Sequence, residues 1–149
     1  MPRLGWIIVA GLVVAVGGAA GWLRWKPSEA IDPSNQTQVA LGGELYRKHC
    51  ASCHGAKLEG QPHWQERKPN GALPAPPHDA SGHTWHHPDD QLFAIIKHGM
   101  ARFAPPDYKT EMPAFVGSLT DADIRAVLAY IKSSWPADIR QRQAAVSRR

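Results

Sequence analysis

The chain has 149 residues, 43% of them hydrophobic and 20% charged, enough for one packed domain with an attachment. Its formal charge of +4 sits at the ends: residues 36–136 carry ten Lys/Arg against ten Asp/Glu, with Arg3, Arg24, Lys26, Arg140, Arg142, Arg148 and Arg149 outside them. A balanced domain excludes a nucleic-acid binder, which would carry its basic patch on the fold. Two cysteines confined to one motif, Cys50 and Cys53, exclude a disulfide framework.

Residues 4–23 read LGWIIVAGLVVAVGGAAGWL, twenty positions without a charge. At about 1.5 Å per residue such a helix spans about 30 Å, the thickness of the bilayer hydrocarbon. Trp6, Trp22 and Trp25 stand where indole rings favour the lipid–water interface. Residues 4–25 are therefore expected to be a transmembrane anchor. The competing reading is a cleaved signal peptide, with Gly17, Ala19 and Ala20 small enough for processing; the apolar run exceeds the ~7–15 residues usual for its core. Gly17 and Gly21 form a GxxxG, either a pairing face or glycine tolerated in a membrane helix. Residues 26–35, with Pro27 and Pro33, read as a linker.

The first helix of the domain is expected over residues 36–49, with Val39, Leu41, Leu45 and Tyr46 on an apolar face that Gly42 and Gly43 interrupt. Next comes CASCH: Cys50, Ala51, Ser52, Cys53, His54. C-x-x-C-H is the attachment signature of c-type haem. Two thiols at this spacing reach the two vinyl groups of one porphyrin and become thioethers, and His54 is then held at the iron as an axial ligand. A thioredoxin-type pair would need a βαβ setting, and zinc would need two further ligands from scattered histidines.

Residues 55–87 form a long Pro/Gly/His-rich segment, unusual in a compact domain unless it wraps something, and a flat apolar disc is such a thing. A second helix is expected over residues 88–98, opened by Pro88, Asp89 and Asp90, buried through Leu92, Ile95 and Ile96 with Phe93 at the margin, and stopped by Gly99. The sixth position of a haem iron is open to Met100, at a helix end, or Met112, in an irregular stretch that Pro113 biases towards extended backbone. Loop context favours Met112; Met100 also reads as a core gap-filler, and His98 is the minor alternative. A third helix is expected over residues 120–135, N-capped by Thr120 with Asp123 completing a box, and buried through Ile124, Val127, Leu128, Ile131 and Trp135. Residues 137–149 form a basic tail, read as a frayed solvated terminus or as a contact for anionic lipid or an acidic partner.

Gly42 and Tyr46 ahead of CASCHG, Met112 in MPAF, and LTDADIRAVLAYIKSSW near the end carry a resemblance to class I c-type cytochromes of the membrane-anchored bacterial kind, over residues 37–135. The resemblance implies an all-α domain around one covalent haem c, over residues 36–136, with its first and last helices crossing near Gly42 and Tyr130. It implies His54 and Met112 as axial ligands, and a proline carbonyl accepting from His54 Nδ1–H, for which Pro76 matches best, with Pro74 and Pro77 as alternatives. It also implies the bacterial cytoplasmic membrane, N-terminus inside and haem domain in the periplasm. Residues 78–87, HDASGHTWHH, depart from the minimal pattern. Trp85 or a histidine there could meet a haem propionate; His83, His86 and His87 could bind a metal such as copper; or the segment is a wrapping loop.

The function expected is single-electron transfer without catalysis, the donor a quinol-oxidising complex or dehydrogenase and the acceptor an oxidase or reductase. A haem subunit of a larger oxidoreductase complex, and a small peroxidase or gas sensor with a labile Met ligand, are the alternatives.

Overall fold

A computed structural model describes residues 30–148 of the chain. Among them are five α-helices: α1 (Gln36–His49), α2 (Ala51–His54), α3 (Asp89–His98), α4 (Asp121–Ser133) and α5 (Ala137–Ser147). Two 3-10 turns, Thr84–His86 and Met100–Arg102, punctuate the loops, and the only β pairing there is an isolated bridge between Val116 and Leu119. No helix among the described residues is long and apolar enough to cross a membrane. The expected anchor at residues 4–25 lies outside the described residues, as do the first positions of the expected linker.

Local chemistry accounts for the helix limits. Asn35 opens α1 by accepting from Gln38 N–H at 3.0 Å. The Gln38 side chain reaches back to Asp32 N–H and the Ala30 carbonyl, at 2.9 and 3.0 Å, and fastens the entering chain. Thr120 opens α4 with the expected box: its N–H donates to Asp123 Oδ2 at 2.9 Å, and Asp123 N–H donates to Thr120 Oγ1 at 3.2 Å. Pro88 caps α3, whose first turn carries Asp89 and Asp90 and whose last turn carries Lys97 and His98, as the helix dipole favours.

The domain is organised by the crossing of α1 and α4. A Cβ on Gly42 would overlap the Ala126 carbonyl and lie 2.9 Å from Tyr130 Cβ, so the two backbones touch where the absence of a side chain lets them. This is the crossing that the resemblance implied. The buried face of α1 is therefore Gly42, Gly43 and Tyr46, while Leu41 is exposed; the periodicity of apolar residues had placed Leu41 on the buried face. In α3, Leu92 and Ile96 are buried and Ile95 only partly so.

Buried side chains fall into two clusters. Leu92, Ile96, Phe115, Leu119, Ile124 and Leu128 join α3 to α4. Tyr46, Leu58, Val127, Ile131 and Trp135 join α1 to the other face of α4. Leu45 packs on both.

The third helix ends at Ser133, two residues earlier than its apolar pattern, and Trp135 follows in a turn. Trp135 stays buried because its Nε1–H donates to the His78 carbonyl at 2.7 Å. The basic tail is no frayed terminus. It folds as α5, and Gln143 is fully buried, its amide nitrogen 2.7 Å from Asp89 Oδ1, 2.9 Å from Ser147 Oγ and 3.2 Å from the His87 carbonyl. Asp89 also takes a bidentate contact from the buried Lys132, at 2.7 and 2.8 Å. A buried lysine needs such a partner, and this one ties α3, α4 and α5 together.

Candidate haem site

Cys50, Cys53 and His54 lie on or beside one short helix. Cys50 closes α1, its N–H donating to the Tyr46 carbonyl at 2.8 Å, and at once caps α2. Gly55, at φ 81°, ends α2 and turns the chain away. Tyr46 steadies that turn from below, its hydroxyl donating to the Gly55 carbonyl at 2.9 Å. The motif is thus held by the last turn of α1, which the α4 crossing holds in turn.

The two cysteines form no disulfide; Cys50 is partly buried and Cys53 exposed. Burial, with Cys53 beside it, pushes the Cys50 thiol up to about 11. A redox or zinc-binding cysteine has its pKa lowered instead, and Cys50 does not show that signature. Among the described residues, no three His, Cys, Asp or Glu side chains converge on a point where a metal ion could sit. The described geometry thus lends no support to the zinc alternative or to the copper reading of His83, His86 and His87. The rings are engaged elsewhere: His86 stacks on Trp85 at 3.7 Å, and His83 stacks on Trp64 at 5.4 Å and meets His87 edge-on.

His54 is buried, 8% exposed. Its Nδ1 lies 2.8 Å from the carbonyl of Pro76, so of the three candidate prolines Pro76 makes the contact. Nδ1–H donating to that oxygen leaves the Nε2 lone pair free for a metal. Burial pushes the ring below its ordinary pKa, against a smaller upward pull from Pro76, and so favours the neutral form that can ligate.

Met112 is half-buried, its N–H donating to Thr110 Oγ1 at 3.1 Å, and it packs against the α3–α4 cluster. Cys50 and Ala51 pack against the α1–α4 cluster. Met100 opens the 3-10 turn after α3 and joins neither cluster. The Met112 loop is strapped to the wrapping segment: Glu111 accepts from Lys68 Nζ at 2.5 Å and from Asn70 Nδ2 at 3.0 Å, and Arg67 lies over the Tyr108 ring.

Trp85 packs against the α1–α4 cluster, as Cys50 and Ala51 do, and its Nε1–H is buried without a hydrogen-bond acceptor. An orphaned donor at this place fits an anionic group arriving with a ligand. Two cysteines at attachment spacing, an imidazole with Nε2 available, a thioether and an orphaned indole N–H form a donor set that fits a haem.

Residues 37–131 match the family described as cytochrome c oxidase, cbb3-type, subunit III. The chain belongs to this family of c-type cytochromes. No curated protein and no solved structure matches it. As a c-type cytochrome it binds haem c covalently and transfers electrons through it. Helix α5 and Trp135 lie beyond the matched residues.

Some of the cytochrome's site escaped the sequence. His78 stacks on His54 with ring centroids 4.0 Å apart. No local pattern signals a contact between residues this far apart in the chain. The proline run before His78 was the one hint, because it places whatever follows Pro76 near the His54 ring.

Proposed function

We propose that Cys50 and Cys53 hold the haem through thioethers, that His54 Nε2 and Met112 Sδ take the two axial positions of its iron, and that the protein passes single electrons between respiratory redox proteins on the outer face of the cytoplasmic membrane. The observation that carries this reading is the 2.8 Å contact from His54 Nδ1 to the Pro76 carbonyl, which prepares Nε2 as a ligand directly beside the two thiols. When bound, the haem supplies a one-electron couple, and the protein sets its potential, burial and docking surface.

The chain's residues divide that task. Pro76 fixes the direction of the His54 ring. Thr110 and the Glu111 strap position Met112. Trp85 offers its N–H to a propionate. Residues 4–25 anchor the domain, haem side outward.

Absorption spectra of the oxidised, dithionite-reduced and carbon-monoxide-treated protein test the reading. A sharp low-spin c-haem spectrum indifferent to carbon monoxide is expected. A high-spin or carbon-monoxide-sensitive spectrum replaces electron transfer with catalysis or sensing.

A second reading rests on the family's description as an oxidase subunit: the cytochrome is a fixed haem subunit of a larger oxidoreductase. Intact co-purification with further haem or copper subunits after mild solubilisation favours it over a free carrier.

A further inference from the structure

The ring of His78 lies on the ring of His54, centroids 4.0 Å apart and planes 23° from parallel. His78 is itself held on several sides. Its Nδ1 is 2.8 Å from Thr84 Oγ1. Its N–H donates to the Leu58 carbonyl at 2.7 Å, and its carbonyl accepts from Trp135 Nε1–H at 2.7 Å. The Tyr46 ring meets it edge-on at 6.5 Å. Thr84 is buried, and its Oγ1 also lies 3.5 Å from the Pro77 carbonyl, so one hydroxyl ties the His78 ring to the backbone of the proline run.

The Pro76 carbonyl fixes where His54 Nδ1 points, but one hydrogen bond leaves the ring free to swing about that axis. Nor does rotamer preference stop the swing, because the last torsion of a histidine is broad. A flat wall on one face does. We propose that His78, locked by Thr84, is a positioning residue for the iron ligand: it sets the rotation of the His54 ring and keeps water from that face.

The inference rests on His54 being the ligand. Rotation of an axial imidazole governs the g anisotropy of low-spin ferric haem, and water at the ligand favours the more charged ferric state, so both readouts report the ligand rather than the fold.

The test is EPR and redox titration of the full-length holoprotein and three variants. His78→Leu should keep covalent low-spin haem, shift the ferric g values and lower the midpoint potential. His78→Phe, which restores a flat face, should return the g values towards wild type. Thr84→Val, which frees the His78 ring, should shift both quantities in the same direction by less, and it reads the inference even where His78→Leu yields no holoprotein. Unchanged g values and potential in His78→Leu and Thr84→Val would overturn the proposal, including where thermal stability falls, since that is packing alone. A wild-type protein without a histidine-ligated low-spin spectrum overturns the ligand assignment itself, and is recognised before any variant is made.

Discussion

In the proposed reading Met112 and Trp85 each offer one atom to the site, and each assignment can be tested by removing that atom. Met112→Ala should retain covalent haem and open the iron, so that the reduced variant binds carbon monoxide; an unchanged spectrum would assign the ligand elsewhere. Trp85→Phe keeps an aromatic ring against the α1–α4 cluster and removes Nε1–H. A propionate that loses this donor keeps more of its charge and stabilises ferric iron, so the midpoint potential should fall; a potential equal to wild type would mean that the indole hydrogen faces no propionate. At this scale the sequence was legible where chemistry is local. CASCH declares its thiols and imidazole through spacing alone. His78 does not declare itself, because its meaning comes from a ring contact made across the wrapping segment.

The helices show the same division. Asn35, Pro88 and the Thr120–Asp123 box stand next to the turns they cap, so the starts of α1, α3 and α4 could be read directly. Helix α5 could not, since its apolar pattern is weak and its burial rests on Gln143 reaching Asp89 and the His87 carbonyl. The two glycines of α1 separate propensity from packing. Gly43→Ala gains about 1 kcal/mol of helix propensity, and its Cβ would meet side chains alone, the edge of the Tyr130 ring at 3.3 Å and Arg47 Nη1 at 3.8 Å. Gly42→Ala makes the same gain but drives a methyl into the Ala126 carbonyl, and overpacking of this kind costs about 1–3 kcal/mol or more. Chemical denaturation should therefore show Gly42→Ala clearly destabilised and Gly43→Ala near wild type. Equal stabilities would mean that the helices do not cross at Gly42. At the start of α4, Lys97 Nζ lies 2.7 Å from Asp121 and holds its carboxyl below the ordinary value. The gain is complete above that ordinary value and disappears as pH falls through the lowered one, so Lys97→Met should flatten this part of the acid limb of the stability profile.

Across the whole molecule, the long segment between α2 and α3 has little regular secondary structure. It holds one 3-10 turn and few buried apolar side chains, chiefly Leu58 and Ala72, and it hangs on contacts to His54, Trp135 and Glu111. A group filling the space it wraps should therefore contribute much of its order. The haem-free Cys50→Ala/Cys53→Ala protein should lose hydrogen-exchange protection over residues 55–87 before α1 and α4 lose theirs. Uniform protection, equal to that of the holoprotein, would show that the segment orders itself.

The crossing of α1 and α4 also imposes an order of events. Synthesis delivers α1 and the two thiols early and Ala126 late, so the partner that seats Gly42 is missing while Cys50 first emerges. During that interval the haem-attachment residues belong to an open chain, accessible to whatever machinery joins thiol to vinyl. Once α4 arrives, Cys50 is partly covered, and a cytochrome that closes first has forfeited its easiest moment for maturation. A late-arriving clasp thus serves as a timer, and slowing its closure should favour complete haem incorporation.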